Sequence, residues 1–98
     1  MRRKVAEDAV PADVIQATIA YAAEKGIIIQ PEDIEFWVLQ DRVVDPKIPS
    51  RQVQADWQWE AIMTAKSPPS QRAGRYRTVL TRPLAKKAVN VAPLKRVP

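Results

Sequence analysis

The stretch Val53-Gln54-Ala55-Asp56-Trp57-Gln58-Trp59-Glu60-Ala61-Ile62-Met63 constrains the fold more than any other part of this chain. Every odd position from 53 to 63 is apolar, and every even position from 52 to 60 is polar. A period of two marks a strand with one buried face. On a helix, Val53, Trp57 and Ala61 would lie on one side and Ala55, Trp59 and Ile62 nearly opposite. No single core-facing stripe results. Ala, Gln, Glu and Met favour helix, and Ser50 would make a good N-cap. Propensity is weaker evidence than a clean period, so a strand is expected over 52–64.

Such a strand needs partners. Residues 66–74, Lys66-Ser67-Pro68-Pro69-Ser70-Gln71-Arg72-Ala73-Gly74, read as a loop. The segment 75–82 that follows alternates: Arg75 and Arg77 share one face with Thr81, and Tyr76, Thr78 and Leu80 share the other. It is expected to pair antiparallel with 52–64 as a hairpin. The segment 34–44 contains Ile34-Glu35-Phe36-Trp37-Val38-Leu39 and closes on Val43-Val44. Pro31 with Glu32 and Asp33 would also suit a helix start. The Phe-Trp-Val-Leu run favours a strand, apolar on both sides. Asp45-Pro46-Lys47-Ile48-Pro49-Ser50 then interrupts the chain.

Upstream, Val14, Ile15, Thr18, Ile19, Ala22 and Ala23 recur at helical spacing between Pro11 and Lys25, and Gly26 supplies a C-terminal cap. Residues 11–25 therefore read as an amphipathic helix that must pack on something. Residues 1–9 read as polar and frayed. Ile27-Ile28-Ile29 reads as a short strand or a core plug beneath the helix. The expected fold class is α+β. An N-terminal amphipathic helix packs on a small antiparallel β-sheet in a single domain, 1–83, followed by a basic extended C-terminal arm, 84–98.

Composition narrows the chemistry. The chain has 98 residues, room for one modest core. It contains no cysteine and no histidine, so thiolate nucleophiles, disulfides, the commonest general base and the commonest metal ligands are all missing. Two isolated glycines make no phosphate loop. The acidic group Glu32, Asp33, Glu35, Asp41 and Asp45 lacks calcium-loop spacing and reads as a charged surface or helix start. Asp56 and Glu60 would share a strand face roughly 13 Å apart, too far for a glycosidase pair, and read as solvated partners of Arg75 or Arg77. No catalytic residue, metal site or cofactor is expected. Met1-Arg2-Arg3-Lys4 is followed by Val5-Ala6-Glu7-Asp8 and not by an apolar run, so an intracellular protein without a membrane span is expected.

Charge is divided along the chain. Residues 1–49 carry six basic and nine acidic side chains, and residues 50–98 carry ten basic and two acidic. Beyond Glu60 there is no acidic side chain. That asymmetry suits a polyanionic partner. The nucleic-acid-binding residues expected are Lys66, Arg72, Arg75, Arg77, Arg82, Lys86 and Lys87, contacting mainly phosphates of a nucleic acid or nucleoprotein complex. Trp57 and Trp59 read as a core wall, with a base-stacking platform as the alternative. In the tail, Val89, Val91 and Leu94 interleave with Lys95 and Arg96. This pattern fits an arm anchored on a protein partner or a second copy of the chain. The second functional reading is accordingly a small adaptor, inhibitor or assembly component, of phage or mobile-element type, that docks on a larger protein partner through its sheet edge and this arm.

The order of helix, second segment, Ile48-Pro49-Ser50-Arg51-Gln52-Val53 and a basic hairpin ending Gly74-Arg75-Tyr76-Arg77 resembles a winged helix-turn-helix DNA-binding domain. The resemblance implies a recognition helix at 50–63 and a wing at 66–82. Such a helix would have to expose Trp59 or bury Glu60.

Overall fold

The computed structural model describes residues 2–40, 43–44, 53–83 and 89–98, with side chains for 2–39, 58–82 and 89–98. In chain order the strands and the α-helix are β1 (Arg3–Val5), α1 (Ala12–Glu24), β2 (Ile34–Gln40), β3 (Val43–Val44), β4 (Val53–Ala65), β5 (Gly74–Pro83), β6 (Asn90–Val91) and β7 (Lys95–Arg96), with single 3-10 turns at Glu7–Ala9 and Pro31–Asp33. One helix packs on one antiparallel sheet, so the fold is α+β. The alternating stretch is a strand, and no helix occupies 53–63 to serve as the recognition helix of the winged alternative.

β4 is the axis of the sheet. It pairs with β2 and β3 on one side and with β5 on the other. β1 extends the sheet beyond β2, and β6 and β7 extend it beyond β5. Alternation then sorts side chains onto two faces. Ile34, Phe36 and Val38, Trp59, Ala61, Met63 and Ala65, and Tyr76, Thr78 and Leu80 are all buried on the inner face. The helix lays Val14, Thr18 and Ala22 on them, a stripe at spacing four. Trp59 is core wall, as expected, and the side chain of Trp57 lies outside the described residues.

The helix ends as its sequence dictates. Gly26 takes φ +80°, a left-handed conformation that is cheap only for glycine. Ile27 N–H donates to Ala22 C=O (2.9 Å) and Gly26 N–H to Ala23 C=O (3.0 Å), the two bonds of a Schellman cap. The turn is also clasped from the hairpin loop. Ser70, 2% exposed, accepts from Ile28 N–H (2.9 Å) and donates to Ile28 C=O (3.0 Å). Gln71 N–H reaches Gly26 C=O at 2.9 Å.

Two segments differ from their sequence reading. Residues 3–5 are not frayed: Arg3, Lys4 and Val5 pair with Val38, Trp37 and Phe36. The edge of β2 offers free N–H and C=O groups, and pairing with them needs no apolar side chain. Glu60 is not solvated: it is 7% exposed, on the outer face between Arg2 and Arg77. The tail lies along β5. Leu80 faces Val91 and Tyr76 faces Arg96, while Pro93, which has no N–H to give, falls between the two short strands. Ala92 N–H and Val97 N–H add bonds to Val79 and Arg75 carbonyls, and the Thr78 hydroxyl donates to Ala92 C=O. Among the described residues no helix is long and apolar enough to cross a membrane.

Candidate nucleic-acid interface

The alternation that buries Tyr76, Thr78 and Leu80 turns Arg75 and Arg77 outward, and both are exposed. They stand two residues apart, about 6.6 Å along the strand. β7 then brings Lys95 opposite Arg77, where directly paired side chains have Cβ atoms about 5 Å apart. Like charges so placed repel. Glu60 relieves part of this, with its Oε2 3.8 Å from Arg77 Nη1. The remainder is an exposed row of Arg75, Arg77 and Lys95 on the side of the sheet opposite the helix.

Lys66 is exposed just past β4. It lines a shallow pocket with Arg75 that also contains Glu32, Asp33 and Glu35. The acidic group of the first half therefore abuts this end of the basic row. Arg72 belongs elsewhere: its guanidinium lies 5.8 Å from the centre of the Tyr76 ring, on the helix side. Arg82 is at the far end of β5, 3.5 Å from Asp13 of the helix. Lys86 and Lys87 lie outside the described residues. The structure thus brings Lys66, Arg75 and Arg77 together, adds Lys95, and separates Arg72 and Arg82 from them.

The residues expected to hold a protein partner divide similarly. Val89, Val91 and Leu94 are half-buried against the protein's own core, whereas Lys95 and Arg96 are exposed. Arg96 Nη2 donates to Tyr76 Oη at 3.0 Å, with its guanidinium 5.2 Å from the ring centre. Gly74 makes room for it, since a Cβ there would stand 2.9 Å from Arg96 Nη1.

Sequence reasoning missed two charged positions. Arg2 stacks 3.8 Å over the Trp37 ring and bonds Glu60 from 58 residues away. Lys25 stands 5.5 Å from the Tyr21 ring. For Lys25 a signal existed, because residues four apart on a helix share a face. For Arg2 there was none, because the contact is made by the sheet. Among the described residues no group of acidic side chains is disposed to hold a metal ion.

Comparison with protein-family models, with curated proteins and with solved structures returns no match.

Proposed function

We propose that this protein is a non-catalytic binding protein that contacts an intracellular nucleic acid, or a nucleoprotein complex, mainly through phosphates. The observation that supports this reading is the convergence of Arg75, Arg77 and Lys95 in one exposed row. Nothing in local sequence requires β7 to bring Lys95 opposite Arg77. Lys66 lies at one end of this row, and Lys86 and Lys87 add to the positive charge of the second half of the sequence. Cations at this spacing lie within a Debye length of one another, so they act on a polyanion together. Each phosphate neutralised releases counterions, so log K should fall linearly with log salt, at about 0.7 to 0.9 per contact.

The test is fluorescence anisotropy with single- and double-stranded DNA and RNA across salt concentrations. Arg75→Ala with Arg77→Ala should weaken binding to all sequences alike and reduce the slope by about 1.4 to 1.8. Affinity that stays flat between about 50 and 300 mM salt would sink the proposal.

A second reading, docking on a protein partner or a second copy, is favoured by the outer face itself. Trp37, Ile62 and Val79 are half-buried there, and no helix covers them among the described residues. Sedimentation analysis separates the two. If Val79→Glu dissociates a wild-type dimer and leaves nucleic-acid affinity negligible throughout, this second reading replaces the first.

A further inference from the structure

A second group of cations lies on the opposite, helix-bearing side of the same sheet end. Lys25, at the C-terminus of α1, Arg72, in the hairpin loop, and Arg96, on β7, converge on a pocket of about 250 Å³ with Tyr21, Tyr76 and Leu94. Three distant parts of the chain supply one positive charge each. Among the described residues none of the three has a carboxylate within ion-pair distance. Elsewhere Arg2, Lys4, Arg77 and Arg82 each have one. What holds the two arginines in place is an aromatic ring: both approach Tyr76, which is itself 2% exposed.

The Tyr76 hydroxyl is half-committed. It accepts from Arg96 at 3.0 Å. Its own proton faces the carbonyls of Arg72 and Ala73 only at 3.5 Å, the outer limit of a hydrogen bond. That proton can turn to a better acceptor at little cost. The site thus combines two guanidinium forks, one ammonium point charge and one available hydroxyl donor, with no acidic group among its lining residues.

We infer that this pocket binds a phosphate monoester, held by Lys25, Arg72, Arg96 and the Tyr76 hydroxyl. A monoester carries about −1.5 to −2 at neutral pH and presents three acceptor oxygens. Arginine forks match such a group bidentately. A phosphodiester carries one charge and continues in two directions. The buried Tyr76 at the floor favours a group that terminates. The volume falls below the roughly 300–1,000 Å³ of sites that enclose a whole small molecule. It suits a phosphate whose remaining substituent leaves over the half-exposed Tyr21 ring, a surface on which a sugar or base can rest. The site uses different side chains from the Arg75, Arg77 and Lys95 row, so either can exist without the other.

The phosphate can come from the end of a nucleic-acid strand or from a free nucleotide. Two pairs of probes separate these sources: one short single strand with a 5′-phosphate or a 5′-hydroxyl, and a nucleoside 5′-monophosphate or its nucleoside. At about 150 mM salt the phosphorylated member of at least one pair is expected to bind ten or more times more tightly. Lys25→Ala and Arg72→Ala, both at exposed positions, should each reduce that preference at least several-fold, and Arg75→Ala, on the other face, should preserve it. Preference in the strand pair alone identifies a chain end as the source. Preference in the mononucleotide pair alone identifies a free nucleotide. Equal or absent binding in both pairs overturns the inference, and so does a preference that survives both pocket variants. Failure of the nucleic-acid reading is seen separately, as loss of all affinity for the 5′-hydroxyl strand, with the mononucleotide pair still testing the pocket.

Discussion

Replacing Arg2 by alanine should destabilise the protein by about 2 kcal/mol, and replacing Arg77 should cost much less. Glu60 is 7% exposed, and Arg2 gives its Oε1 two short contacts, 2.8 Å from Nε and 2.7 Å from Nη2. Arg77 stands off at 3.8 Å without a hydrogen bond. A hydrogen bond to a charged group contributes about 1.5–3 kcal/mol when its loss leaves the partner buried. Breaking a fully buried pair costs about 3–5 kcal/mol. Neither figure applies whole, because the Arg2 side chain is 46% exposed, which lets water reach the carboxylate once the arginine is gone. Roughly half remains, about 1–1.5 kcal/mol. The stacking of Arg2 on Trp37 adds about 0.5–1 kcal/mol. For Arg77, 54% exposed, the pair contributes about 0.5 kcal/mol or less. The assay is urea denaturation followed by tryptophan fluorescence. With a denaturant slope of about 1–3 kcal/mol per molar, Arg2→Ala should lower the midpoint by about 1 M. A double-mutant cycle with Glu60→Gln isolates the pair, with an expected coupling near 1 kcal/mol. Equal costs for Arg2→Ala and Arg77→Ala, or a coupling near zero, would refute the reasoning.

Ser70→Ala should destabilise by about 2 kcal/mol, because it strands both the N–H and the C=O of Ile28. Hydrogen exchange should quicken at the Ile28 amide more than at amides along β4. Gly26→Ala should cost about 1–2 kcal/mol in a thermal melt, the penalty of a left-handed backbone for a residue with a Cβ. The nearby Gln71 Oε1, 2.8 Å from the added atom, is the end of an exposed side chain and can swing away.

The parts of the fold that were legible are those fixed by local periodicity. The alternation at 53–63 and 75–82, with the proline-rich loop between them, specified the β4–β5 hairpin and set Tyr76, Thr78 and Leu80 on one face, which the structure buries. The helical stripe ending at Gly26 specified α1 to within a residue at each end. What was illegible depends on contacts made by backbone or by distant charges. β1 forms because an edge was available, and Arg3-Lys4-Val5 carries no pattern that announces it. Glu60 obeys its period and still is buried, because Arg2 reaches in over Trp37 to cover it. The excess of basic side chains in the second half was legible as a composition, but its geometry was not. The side-chain period of β5 and β7 divides it, sending Arg75, Arg77 and Lys95 to one face and leaving Arg96 beside Tyr76 on the other.

The two outermost flanks of the sheet have a consequence for solubility. A flat, open strand edge is a template on which other chains can add and propagate into fibrils. Among the described residues one flank is three residues long and contains Arg3 and Lys4. The other is two pairs of residues interrupted by Pro93, with Lys95 and Arg96 in the second pair. Shortness, cationic repulsion and a missing amide donor each discourage intermolecular strand addition. The same lysine that enriches the candidate ligand surface therefore also guards an edge. Neutralising it together with its neighbours would strip charge from that candidate surface and, by the same stroke, invite aggregation.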